Sequence, residues 1–189
     1  MKFAEKINNI TKHMKENGVD LLFIGTSTDL EYLTGLSSMS CERFKALAIL
    51  EDGRHFFICP ELYYEETRQA YGEQGKIFVW SDSEGFLKSI VKANDFYHLE
   101  NMNIGVNDVI RAIDMIAIQG IIPANFLDGS GIMEKVRQIK DEKEMELMKK
   151  SSLIADQVAE EIVKFIRPGV TEGDIAKRIK ELFIEKGAD

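Results

Sequence analysis

The strongest constraint on this chain is a change of rhythm near residue 130. Before that point, short apolar runs alternate with segments whose apolar residues recur every three or four positions. After it, only the second pattern remains. A buried strand reads as a short continuous apolar run, and a surface helix buries one stripe. Alternation of the two specifies an α/β domain. Phe3, Ile7, Ile10 and Met14 form the first helical stripe, and Asn17-Gly18 ends it. Residues 19–24 read as a buried strand. Ser27-Thr28-Asp29 caps a short helix carrying Leu30, Tyr32 and Leu33, which Gly35 closes. Residues 46–51 and 54–59 flank Asp52-Gly53, which predicts a two-residue hairpin and therefore an antiparallel component in the sheet. Further strands are expected over 76–80, 103–106 and 121–127. Helices are expected over 61–71, from Ser81 or Ser83 to about 93, and from Asn107 or Asp108 through 119.

The expected fold class is α/β, a mixed β-sheet flanked by helices and followed by a helical tail. The domain division is 1–130 and 131–189. In the tail, Asp141 with Glu144 forms a capping box ahead of a stripe from Leu147 to Ile166. Pro168-Gly169 breaks it, and Thr171 caps a second helix whose face holds Ile175, Ile179, Leu182 and Phe183. Two such stripes need cover. Either they fold back on the α/β domain, or their partner sheet lies outside these residues.

Composition excludes several function classes. At 44% hydrophobic and 30% charged the chain can bury a core, which argues against disorder. A membrane-spanning helix needs about 20 apolar residues. The longest unbroken apolar run is residues 46–50. The net charge of −8, from 24 Lys+Arg against 32 Asp+Glu, opposes non-specific binding to nucleic acid or to anionic membranes. The N-terminus is charged and periodic, unlike a secretory signal. The 2 cysteines are too few for a disulfide scaffold, so the expected compartment is the reducing cytoplasm.

Few residues carry obvious chemistry. His13, His55 and His98 lie in no HExxH or HxH pattern, and Cys41 and Cys59 form no CxxC pair. There is no GxSxG elbow, and Gly129-Ser130-Gly131 does not match a phosphate loop. Residues 140–150 read as a solvated helix face with Glu146 and Lys150 paired. What remains is the stretch 32–44, small and polar in its middle and ending Cys41-Glu42-Arg43-Phe44. Arg43 offers a two-pronged fork for a carboxylate. From the residues alone, a surface loop with a Glu–Arg pair is the simpler reading.

Several stretches, in order, resemble the creatinase/prolidase family of Xaa-Pro dipeptidases, aminopeptidases P and creatine amidinohydrolases. They are residues 19–24, Tyr32-Leu33-Thr34-Gly35, Cys41-Glu42-Arg43-Phe44 with the strand after it, residues 136–144, and Arg167-Pro168-Gly169-Val170-Thr171-Glu172. The resemblance implies a creatinase-type N-terminal α/β domain over 1–130. It implies that 131–189 is a linker plus the first two helices of a truncated pita-bread metallopeptidase domain. In that family a pair of divalent ions (Mn, Co or Zn) is held by two Asp, one His and two Glu on later strands. The implied chain therefore has no catalytic residue and no metal ligand of its own, binds no metal, and is inactive alone. Asp189 is a chain end, not a ligand. The implied parent is a cytoplasmic homodimer that hydrolyses the bond before proline in a dipeptide or short peptide. Its N-terminal domain lends a loop to the neighbouring subunit's site, here Met39 to Arg43. Many relatives read Asp-Pro-His-Glu-Arg there, where this chain reads Met39-Ser40-Cys41-Glu42-Arg43. Arg43 and Glu42 match and Cys41 replaces the histidine. The implied substrate-binding residues are Arg43, then Glu42, then Cys41. The same architecture also serves non-catalytic protein-binding modules and creatine-type amidinohydrolases.

Overall fold

The computed structural model describes residues 2–37, 41–72 and 74–188. The order of elements is α1 (Phe3–Glu16), β1 (Leu21–Gly25), α2 (Thr28–Thr34), β2 (Ala46–Leu50), β3 (His55–Pro60), a 3₁₀ turn (Glu61–Tyr63), α3 (Tyr64–Tyr71) and β4 (Lys76–Trp80). Then follow α4 (Leu87–Tyr97), β5 (Asn103–Val106), α5 (Ala112–Gln119), β6 (Asn125–Asp128), α6 (Ser130–Gln138), α7 (Glu142–Phe165) and α8 (Glu172–Glu185). The six strands form one sheet in the order β4-β3-β2-β1-β5-β6. β2 pairs antiparallel with β1 and β3, while β1–β5, β3–β4 and β5–β6 are parallel. All strands but β2 thus point the same way. The carboxyl edge of the sheet gathers the exits of β1, β3, β4, β5 and β6 together with the entry to β2.

The strand alternation divides the core into two layers. Leu22, Ile24, Leu47, Ile49, Phe57 and Cys59 face one side with Ile7, Ile10 and Met14 of α1, Leu30 and Leu33 of α2, Tyr71 of α3 and Ile132, Met133 and Val136 of α6. Leu21, Phe23, Ala46, Ala48, Phe56, Ile58 and Ile104 face the other, under Ile90, Ala93 and Tyr97 of α4 and Ile118 of α5. Residue i and residue i+1 serve opposite cores because successive strand side chains alternate. That is why the central strands are apolar without a break.

Four local departures from the sequence expectation have physical causes. The β2–β3 turn is longer than two residues. The Gly53 amide bonds the Leu50 carbonyl at 2.9 Å, and Leu50 donates to Arg54 at 2.8 Å. Gly53, with φ 88, is the left-handed residue that closes the turn; Asp52 stays in the ordinary region. α5 begins at Ala112, because Asn107 is drawn into the sheet: its Oδ1 accepts from the Gly25 amide at 3.0 Å. α4 begins at Leu87, because residues after β4 form a turn closed by the Gly85 amide on the Ser81 carbonyl at 2.9 Å. β6 begins at Asn125, because the Ile121 and Ile122 amides fold back onto the Ile118 carbonyl and Pro123 has no amide for a ladder.

The first compact unit extends to Ile139, beyond the expected boundary at 130, because α6 belongs to its core. The second unit comprises α7 and α8. Asp141 and Thr171 cap them, each with a reciprocal capping box. Val158 and Leu182 are buried within this unit, and Lys186 pairs with Glu161 at 2.6 Å. Ile154, Ile162 and Phe165 of the α7 stripe and Ile175, Ile179 and Phe183 of α8 are half-buried, while Met145, Leu147, Met148, Leu153 and Val163 stay exposed.

Candidate functional site

The turn leading into β2 lies at the carboxyl edge of the sheet, the end where open α/β sheets hold their ligands. Of the stretch singled out by sequence, Ser38, Met39 and Ser40 lie outside the described residues, and Cys41, Glu42 and Arg43 lie within them. Arg43 is the centre of the cluster. Its Nε and Nη2 donate to the two carboxylate oxygens of Asp82 at 2.9 and 2.8 Å, and its Nη1 donates to Glu42 Oε1 at 2.8 Å. Asp82 follows β4, so this fork spans strand exits at one side of the sheet. Hydrogen bonding to Asp82 holds the Arg43 guanidinium still more firmly in its charged form, and the same bond lowers the Asp82 carboxyl below its usual range.

A second arginine reaches the turn from the other side. Arg111, just before α5, donates through Nη2 to the backbone carbonyl of Glu42 at 2.5 Å. Its Nε and Nη2 also grip Asp114 at 2.9 and 2.8 Å. The Asp114 side chain is only 8% exposed, so this acid depends on that partner. Hydrogen bonding to Asp114 raises the Arg111 guanidinium in turn. Lys45, 5% exposed at the start of β2, lies over the Tyr63 ring at 4.6 Å. Burial lowers its ammonium below the usual lysine value. The Cys41 thiol lies 3.8 Å from the Tyr63 hydroxyl, and that contact raises the phenol. Trp80 closes the floor, donating its indole N–H to the Phe44 carbonyl at 3.0 Å.

Cys41, Arg43, Lys45 and Arg111 line a recess with Gly25 and Asp114. Its volume is about 30 Å³, room for a water or two and not for a dipeptide. Both guanidinium forks are filled by acids of this chain, Arg43 by Asp82 and Glu42 and Arg111 by Asp114. Among the described residues no group of three or more His, Cys, Asp or Glu could hold a metal ion, so these residues do not fit a dinuclear centre. His13 pairs with Glu16, His55 bonds the Tyr71 hydroxyl, and His98 caps α4 in a left-handed conformation.

The sequence singles out Cys41, Glu42 and Arg43, and the structure gathers Asp82, Arg111, Asp114, Lys45 and Tyr63 around them, none of which the sequence marked. Arg111 and Asp114, three apart at a helix start, carried a readable signal. Asp82 carried none, since its partner is 39 positions away.

The sequence model of the Creatinase/Prolidase N-terminal domain matches residues 6–139. An uncharacterized peptidase of Staphylococcus saprophyticus is 31% identical over 176 residues, which is 93% of this chain and 48% of that protein. A dipeptidase from Pyrococcus horikoshii is 28% identical with a TM-score of 0.82, covering 95% of this chain and 49% of that one. An Xaa-Pro dipeptidase from Bacillus anthracis, 23% identical, shares the fold with a TM-score of 0.80 over 98% of this chain and 50% of that one. The chain spans about half the length of these relatives. The chain belongs to the creatinase/prolidase family, whose N-terminal domain it carries over residues 6–139.

Proposed function

We propose that this chain is the N-terminal portion of a metal-dependent Xaa-Pro dipeptidase, serving dimerisation and gating of the substrate site, with no peptidase activity alone. The observation that carries this reading is the family match over 6–139 in a chain that spans half of its peptidase relatives. The helical unit from Lys140 onward is then the start of the catalytic domain. Its exposed apolar residues suit helices with further cover from that domain. The parent's substrate is a proline-containing dipeptide or short peptide. The parent is a cytoplasmic homodimer, and its divalent ions (Mn, Co or Zn) are held by residues beyond this stretch.

In this reading Arg43 takes the substrate's terminal carboxylate on its fork. That carboxylate takes the place of Glu42, which is 70% exposed, on Nη1, while the paired bonds from Nε and Nη2 to Asp82 stay. Glu42 supports the guanidinium until substrate arrives, and Cys41 replaces the histidine that many relatives carry. The reading is tested by the codons that follow position 189. Two Asp, one His and two Glu on predicted strands support it. Their replacement by non-ligating residues overturns the enzyme and leaves a binding module.

A further inference from the structure

We infer that Arg111, braced by Asp114, and Asp82 are positioning residues that hold the turn at residues 41–43 in place from its two sides. The functional weight of that turn rests on the gating role proposed above; the anchoring itself rests on geometry alone.

Two anchors from different elements converge on adjacent residues. Asp82, from the exit of β4, fixes the side chain of Arg43 by a paired fork at 2.8 and 2.9 Å. Arg111, from the start of α5, fixes the backbone of Glu42 through its carbonyl at 2.5 Å. A backbone bond constrains the path of the turn whatever side chain stands at 42. An ordinary surface arginine samples many rotamers and would make a poor anchor. Arg111 is different, because the nearly buried Asp114 binds its Nε and Nη2 and leaves one orientation in which both partners are satisfied. The Arg43 fork thereby acquires a fixed position between β4 and α5, although it lies in a segment with no secondary structure of its own. Preorganisation of this kind lowers the ordering cost of ligand capture.

Cys41 supplies the readout. The chain has 2 cysteines, and Cys59 is fully buried while Cys41 is half-buried beside the turn. Labelling with a thiol-reactive disulfide reagent therefore reports on the turn. Asp82→Asn should raise the Cys41 labelling rate about two- to fivefold, the range for losing one exposed charge-paired contact, and Arg111→Gln at least as much, because it also strips the nearly buried Asp114 of its partner. Arg111→Lys should fall between wild type and Arg111→Gln, because an ammonium keeps the charge without the planar fork. Arg54→Gln, which breaks a pair at the opposite end of the sheet, should change nothing. Asp82→Asn is a near-isosteric surface change, so it decides the matter even if Arg111→Gln folds poorly. Labelling at the wild-type rate in Asp82→Asn and Arg111→Gln alike overturns the inference. In the intact two-domain protein the same variants should raise KM for a dipeptide with little change in kcat. Faster labelling with unchanged KM would leave the anchoring intact and reject the gating role instead.

Discussion

Gly129 and Gly131 stand two residues apart in one short motif, yet replacing each by alanine should have opposite effects. Gly129 precedes α6 where that helix crosses the sheet. A Cβ there would lie 2.6 Å from Leu22 Cδ1, 3.1 Å from the Gly105 carbonyl carbon and 3.1 Å from the Val106 nitrogen. Comfortable carbon contacts are about 3.5–4.0 Å. Leu22 can shift its methyl a little, but the backbone of β5 cannot move without loosening its pairing with β1 and β6. The helix must rise from the sheet, at a cost of about 1–3 kcal/mol. Gly131 lies inside α6 with nothing within 4 Å of its added Cβ. Alanine there restricts the unfolded chain and favours the helix, a gain of about 0.5–1 kcal/mol. The two variants should thus differ by about 1.5–4 kcal/mol, or at least about 3 °C in Tm for a chain of this size. Thermal and urea unfolding followed by Trp80 fluorescence measures this directly, since Trp80 is the only tryptophan and is 7% exposed in the first unit. The reasoning is refuted if Gly129→Ala unfolds at or above the wild-type midpoint, or if Gly131→Ala is the more damaging of the two.

Other outcomes follow from the same geometry. Trp80→Phe leaves the buried Phe44 carbonyl without its indole donor, and should lower stability by about 1–3 kcal/mol in urea titrations read by circular dichroism. Burial holds the His55 imidazole below its usual value, so the folded chain keeps it neutral while the unfolded chain protonates near pH 6.5. The stability it supports is present above that pH and is lost as pH falls towards the folded pKa, because the unfolded state then binds the extra proton. Unfolding measured from pH 7.5 down to about 5.5 should fall more steeply for wild type than for His55→Gln; equal slopes would remove His55 from the effect. In the intact protein, Arg43→Ala should raise KM for a proline dipeptide about tenfold or more without changing bound metal, as expected for loss of a charged partner; unchanged kinetics would exclude Arg43 from the substrate site.

The sheet was legible in the sequence because its chemistry is local. The apolar run 46–50, closed by Asp52-Gly53, reads as a strand buried on both faces, and Ser27, Asp141 and Thr171 announce helix starts with their own side chains. Where the reading slipped, a distant partner had intervened. Asn107 resembles a helix cap, but the Gly25 amide, 82 positions away, claims its carbonyl oxygen. Residues just after 130 read as linker, because Ile132, Met133 and Val136 do not say which core they fill; packing in one core with α1 decides that. The candidate site shows the same division. Arg43 stood out as a fork at the end of a polar loop, while the acid that fills the fork sits in the turn after β4. Gly129-Ser130-Gly131 also had no visible purpose in the sequence, and the close approach of Gly129 to Gly105 gives it one: it seats a helix on a sheet.

The central claim is that these residues supply recognition and assembly while the catalytic ions reside elsewhere in a longer protein. It is tested most directly by incubating the 189-residue chain with Mn²⁺ or Co²⁺ and Ala-Pro, beside a form extended through the rest of its gene. The account predicts background hydrolysis from the first and turnover from the second. Turnover well above background from the 189-residue chain would contradict it.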